Sequence, residues 1–160
     1  MAYEIERKFL VSNDSFIHLA NKFYHIQQGY ICNDPARSVR IRKKGTLYFI
    51  TIKGESTHNG LIRPEWEQPI DEDSFEILWS LCLPGKISKT RYEVSLGHHT
   101  IEVDIFHDTN EGLIMAEIEL QTEKDIIQLP DWLGEEVTGE EQYYNAYLSE
   151  HPFKTWNNLK

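Results

Sequence analysis

The sequence predicts an α+β fold: a large antiparallel β-sheet, curled or closed into a barrel, with helices packed against its outside. Three observations carry that prediction. Segment after segment alternates apolar and charged residues with period two, short glycine-bearing turns join several of them, and the stretches between carry helix-start signals ahead of residues spaced three and four apart. At 160 residues the chain is expected to form one domain over 1–160, long enough to bury about two thirds of its unfolded surface.

The first element is ambiguous by itself. Read as a helix, "EIERKFLV" (residues 4–11) pairs Glu4 with Lys8 one turn on; read as a strand, it puts Glu4, Glu6 and Lys8 on one face and Ile5, Arg7 and Phe9 on the other. The later segments settle the matter. "VRIRK" (39–43), "FITIK" (49–53), "RPEWEQPI" (63–70), "KTRYEV" (89–94), "IEVDIF" (101–106) and "AEIEL" (116–120) alternate too strictly to be helical, with β-branched and aromatic residues supplying the apolar beat. With residues 3–11 and "HIQQGYI" (25–31) they make eight strands. The turns "KKGT" (43–46), "LGHH" (96–99) and "HDTNEG" (107–112) are hairpin connections, hence antiparallel pairing. Pro64 removes a ladder donor inside the fifth strand, which is therefore expected to be an edge or locally bulged.

Helices are expected in the gaps. "SNDSFIHLANK" (12–22) offers Ser12 to Ser15 as caps, and "DEDSFEILWSLCLPG" (71–85) starts acidic, sets Phe75, Leu78, Trp79 and Cys82 on one stripe, and stops at Pro84 and Gly85. "TGEEQYYNAYLSEH" (138–151) has Thr138 and Glu141 at capping-box spacing. Trp66 and Trp79 fall on apolar faces and read as core.

Composition excludes several classes. A net charge of −10 argues against a nucleic-acid backbone or an anionic membrane as main partner. The apolar runs are too short to span a bilayer, and "MAYEIERK" lacks an apolar leader, so a reducing cytoplasm is the expected location. Cys32 and Cys82 form no metal or redox spacing, the seven histidines lack H-E-x-x-H, and there is no P-loop, dinucleotide fingerprint or G-x-S-x-G elbow.

The polar beat is unusual. It runs Glu4, Glu6, Lys8; Arg40, Arg42; Thr51, Lys53; Arg63, Glu65, Glu67; Lys89, Arg91, Glu93; Glu102, Asp104; Glu117, Glu119. An exposed, salt-bridged sheet face is one reading of so much charge. The other is that these groups point inward and line a polar cavity, in which case they require neutralisation by a ligand. Arg and Lys at this density suit phosphate oxygens, and clustered carboxylates without His or Cys suit a hard divalent cation shared with those phosphates.

"EIERK" matches the E-x-E-x-K signature of the CYTH domain, or triphosphate tunnel metalloenzyme, superfamily. The resemblance runs strand by strand through "VRIRK", "TIK", "RPEWEQPI", "KTRYEV", "IEVDIF" and "AEIEL" to the tail "EVTGEEQYYNAYL" (136–148), over essentially the whole chain. It implies an eight-stranded antiparallel barrel whose tunnel binds a triphosphate with Mg²⁺ or Mn²⁺. By the same resemblance, Glu4, Glu6, Glu117 and Glu119 are metal ligands, and Glu65, Glu67 and Asp104 are candidates for a second metal or the attacking water. Lys8, Arg40, Arg42, Lys53, Lys89 and Arg91 would grip phosphate oxygens, Lys8 being also a candidate for ordering the water. Arg63, Glu93 and Glu102 would order their neighbours through ion pairs. Gln142 stands where similar tails often carry an Arg; if that Arg closes a tunnel mouth, substrate selection differs here.

The expected function is metal-dependent hydrolysis of the terminal phosphoanhydride of inorganic tripolyphosphate, with nucleoside triphosphates as further candidate substrates. The alternatives are a class IV-type adenylate cyclase, since similar proteins include both activities, and a non-catalytic polyphosphate-binding module. The expected partner is a small-molecule triphosphate; a homodimer is allowed by the sequence but not required by it.

Overall fold

Every segment that alternates in the sequence is a strand. The computed structural model describes residues 3–156. Its strands are β1 (Tyr3–Val11), β2 (Lys22–Asp34), β3 (Arg37–Lys44), β4 (Leu47–Gly54), β5 (Ile62–Ile70), β6 (Ile87–Leu96), β7 (His99–Phe106), β8 (Ile114–Glu119) and β9 (Leu133–Glu136). Its helices are α1 (Phe16–Leu19), α2 (Glu72–Ser80) and α3 (Asn145–Glu150). Among the described residues, no helix is long and apolar enough to cross a membrane.

The strands pair antiparallel in the order β5-β4-β3-β2-β6-β7-β8-β1-β9, and β1 pairs back onto β5. The first eight strands thus close into a barrel, which removes the exposed edges that an open sheet would carry. One flank of β1 serves β8 along its middle. The other is divided, with Tyr3, Glu4 and Ile5 opposite Pro64, Arg63 and Ile62 of β5, and Phe9 and Val11 opposite Glu136 and Leu133 of β9.

That division corrects the expectation for Pro64. The strand β5 is not an edge: residues 65–70 pair with β4, residues 62–64 with β1, and Pro64 sits next to the point where the partner changes. A missing donor is tolerated there because β4 ends opposite it, and a Cβ on Gly54 would stand 3.1 Å from the Pro64 ring.

Much of the apolar core lies outside the barrel. Phe9, Ile101, Val103, Ala116 and Ile118, the outward residues of β1, β7 and β8, pack with Phe16 and Trp132 in one cluster. Phe16 is completely buried, its ring 5.5 Å from Tyr92 and 5.7 Å from Trp132. On the other wall α2 covers β3 and β4, with Phe75 against Tyr48 at 4.9 Å and Trp79 stacked on Phe75 at 5.1 Å. Trp66 departs from its expected core position: on the outward face of β5 it is 48% exposed, because α2 does not cover that strand.

The helices are shorter than expected. Helix α2 starts as expected, Asp71 accepting the Ser74 backbone N–H at 2.7 Å. Of residues 12–22 only Phe16–Leu19 is helical, since β2 begins at Lys22 and Ser12 bonds the Trp132 carbonyl instead of capping. Thr138 caps nothing: its hydroxyl accepts the Lys8 backbone N–H at 2.9 Å and donates to Glu136, so the last helix waits until Asn145.

The C-terminal segment also fills one end of the barrel. Ile87, Phe106 and Met115 lie on the same strand faces as the charged beat and form an apolar cluster with Leu113 and Leu148 of α3, flanked by Tyr143, Phe153 and Trp156. Above this plug the interior is charged.

Candidate functional site

The period-two alternation of eight strands converges on one cavity of about 190 Å³. Glu4, Glu6 and Lys8 reach it from β1, Arg40 and Arg42 from β3, Lys53 from β4, Glu65 and Glu67 from β5, Lys89 and Arg91 from β6, and Glu117 and Glu119 from β8. The inward reading of the charged beat is therefore the observed one. Two expected residues stand outside it: Asp104 is buried behind this lining rather than in it, and Glu93 pairs instead with Lys22 and Tyr24.

Many of the opposite charges neutralise one another. Lys53 Nζ lies 2.9 Å from Glu4 and 3.7 Å from Glu65; Arg42 lies 3.0 Å from Glu67, which also accepts the Thr51 hydroxyl at 2.6 Å. Lys8 Nζ is 3.4 Å from Glu117 and donates to the Tyr143 carbonyl at 3.1 Å. Asp104 grips Arg91 through both oxygens, at 2.7 and 2.8 Å, and lies 2.9 Å from Lys89 Nζ. Arg91 also reaches Glu102 at 3.2 Å and Glu117 at 3.7 Å.

What is left over defines the site. Glu6 and Glu119 face each other across the β1–β8 ladder, and among the described residues neither is in an ion pair. Burial together with Glu117 and Glu4 pushes the Glu6 carboxyl well above its ordinary range, and burial with Glu4 and Glu65 pushes Glu119 up. Like charges directly opposite on a ladder repel, so this pole is short of a cation. Across the cavity Arg40 enters no ion pair among the described residues, and the Nε atoms of Arg40 and Arg42 are buried without an acceptor. That pole is short of an anion.

Paired groups show the same tension. Burial alone would raise Glu4, but Lys53 outweighs it and holds the carboxyl below its usual value. Burial and the neighbouring Arg40 and Arg91 bring Arg42 down to about 10, and burial brings Lys89 down to about 8 in spite of Asp104. Among the described residues, no three ligating groups already converge on a single point. The donors nevertheless fit a hard divalent ion, being carboxylate oxygens alone, two of the carboxylates standing outside any ion pair.

Sequence reasoning missed several lining residues. Ser38 and Lys44 continue the Arg40–Arg42 alternation by one step at each end, just outside the apolar run that marked the strand. Tyr144 and Asn145 belong to the tail, and Asn145 Oδ1 accepts from both Lys89 Nζ, at 2.9 Å, and Gln28, at 3.0 Å; no local pattern announces this. Gln142 is exposed and lies outside the cavity lining.

Residues 2–148 match the CYTH domain family. The chain is 42% identical over 156 residues to an inorganic triphosphatase of Acetivibrio thermocellus, covering 98% of this chain and 99% of that protein. It is 38% identical over 154 residues to an inorganic triphosphatase of Nitrosomonas europaea, covering 91% and 96%. Among solved structures, the crystal structure of an inorganic triphosphatase superposes with a TM-score of 0.63 at 33% identity, covering 93% of this chain and 95% of that one.

Proposed function

The chain belongs to the CYTH domain family, and on that premise we propose that it is a metal-dependent inorganic triphosphatase, hydrolysing tripolyphosphate to orthophosphate and diphosphate. One observation carries the reading: carboxyls in no ion pair at Glu6 and Glu119 share one cavity with Arg40, also in no ion pair among the described residues, and with Arg42, whose Nε, like that of Arg40, lacks an acceptor. A divalent cation with a polyphosphate supplies both missing charges at once.

Glu4, Glu6, Glu117 and Glu119 would hold Mg²⁺ or Mn²⁺. When bound, the cation neutralises the phosphoryl oxygens and makes phosphorus more electrophilic. Arg40, Arg42, Lys53, Lys89, Arg91 and Lys8 hold the oxygens of the chain, so catalysis is mainly positioning and preorganised charge. With Glu4 and Glu117 holding a cation, Lys53, Lys8 and the end of Arg91 that now faces Glu117 would be available to the phosphates. The bond that forms runs from a water oxygen to the terminal phosphorus, and the bond that breaks is the bridging P–O bond. Of the two carboxylates that line the cavity from β5, Glu65 is the more basic and so the better suited to take the water's proton: burial and Glu4 raise it, whereas Thr51 and Arg42 hold Glu67 below its ordinary range against the effect of burial. Asp104, with both oxygens on Arg91 and one of them also against Lys89, acts through those two cations as a positioning residue.

Phosphate release from tripolyphosphate, with and without each cation, tests the reading. Glu4→Gln and Glu119→Gln should each abolish cation-dependent release in a folded protein; near-normal rates in either would sink its assignment as a ligand. Tight binding without turnover would identify a polyphosphate-binding module. With ATP and Mn²⁺, cyclic AMP would identify a cyclase, and ADP with phosphate a hydrolase.

A further inference from the structure

Three consecutive residues of the tail reach two lysines of the cavity. Tyr143 and Tyr144 take Lys8, whose ammonium donates to the Tyr143 carbonyl at 3.1 Å and stands 4.9 Å from the centre of the Tyr144 ring. Asn145 takes Lys89, its Oδ1 accepting from the ammonium at 2.9 Å. The backbone permits this reach. Tyr144 is extended, with φ −76° and ψ 139°, and the first hydrogen bonds of α3 fall on its carbonyl, so the Tyr143 carbonyl is free for Lys8. The Asn145 side chain serves the barrel rather than the helix it begins: its hydrogen bonds among the described residues go to Lys89 on β6 and Gln28 on β2.

Donor and acceptor chemistry fixes the orientation of these groups. An ammonium only donates, so the amide oxygen of Asn145 has to face Lys89, and Gln28 then has to present its N–H to the same oxygen. Gln28 does so although its own oxygen is left fully buried without a donor. An unmade bond of that kind costs stability, and a residue held at such a cost is a candidate for function. Lys89 itself, 1% exposed, lies between two acceptors, each at 2.9 Å: Asp104 Oδ2 behind the cavity lining and Asn145 Oδ1 within it. Asp104 alone would draw the ammonium back from the cavity. Asn145 is neutral, so it holds the nitrogen forward without cancelling its charge. With two of the three N–H donors directed, tetrahedral geometry directs the third.

We propose that Asn145 is a positioning residue for Lys89, its Oδ1 holding the ammonium forward of Asp104 and aiming the remaining N–H at the substrate, so that the docked tail completes the cavity. The inference rests on the triphosphatase reading and assigns the tail a part in the same site. A double-mutant cycle of wild type, Asn145→Ala, Lys89→Gln and the double variant tests it. The cycle is read as tripolyphosphate affinity by calorimetry without a divalent cation, and as kcat/KM for phosphate release with Mg²⁺. Asn145→Ala should lower both about tenfold in the wild-type background, the scale of a hydrogen bond to a charged group, and should lower neither further in the Lys89→Gln background. Asn145→Leu, which fills a similar volume without an acceptor, should repeat the loss and keeps the cycle readable if the alanine loosens the tail. An equal loss in both backgrounds marks a merely structural role and overturns the inference, as does an unchanged single variant. Binding by the wild type without turnover counts against the hydrolase reading alone, since the affinity arm of the cycle still decides the role of Asn145.

Discussion

Asp104 illustrates how a residue can hold the side chains of a cavity in place without facing it. Its two oxygens hold Arg91 and Lys89, which are 4% and 1% exposed and point at the cavity. Removing one partner of such a buried set leaves uncompensated charge, so Asp104→Asn should cost about 3–5 kcal/mol in urea unfolding. Its pH dependence has a definite sign. Although burial opposes ionisation, Arg91 and Lys89 depress the Asp104 carboxyl below its ordinary 3.8 in the folded state. The associated stability is therefore complete above the unfolded value and is lost as pH falls toward the folded one. Thermal midpoints of wild type should drop over that acid range more steeply than those of Asp104→Asn. At this scale the alternation placed Asp104 on the correct face, but period two carries no information about which inward groups reach the cavity and which are covered by a longer neighbour.

Among the elements, β1 determines the most, dividing one flank between β5 and β9. Where the division falls, the turn before β5 meets the turn after β9. Gly139 has a φ of +81°, and a Cβ there would stand 2.1 Å from the Asn59 carbonyl oxygen. Gly97, in the β6–β7 hairpin, has a φ of +61° but nothing within 4 Å of such an atom. Gly97→Ala should therefore cost about 1 kcal/mol from the left-handed backbone alone, and Gly139→Ala a further ~1–3 kcal/mol of overpacking. Denaturant midpoints with unchanged slope would check both. Strands were legible because alternation is a property of neighbouring residues; helices were less so. The caps offered by Ser12 and Thr138 are taken up by contacts far along the chain, with Trp132 and Lys8, and no local pattern reveals that competition.

As a whole the molecule places apolar residues both on the outside of its barrel and in a plug at one end, with charge between. Such an interior is stabilised when the missing ions arrive. Tripolyphosphate with Mg²⁺ at about 100 times its dissociation constant should add about 2.7 kcal/mol, or roughly 5–10 °C in scanning calorimetry for a chain of this size. High salt should shrink the shift only in part, because buried pairs are weakly screened. A shift no larger than that produced by chloride at equal ionic strength would count against a built polyphosphate site.

The sequence by itself determined eight of the nine strands, the antiparallel hairpins among them and which charged residues share a face, since alternation and turns depend on residues near in the chain; that this shared face is the inner one was decided by closure of the barrel. Tertiary structure alone decided that Asp104 stands behind the wall, that Lys44 joins the row begun by Arg40, that Trp66 stays exposed and that the tail fills one end of the barrel. Depth along a barrel is set by the register between strands and by what packs into its ends, and both depend on partners tens of residues away.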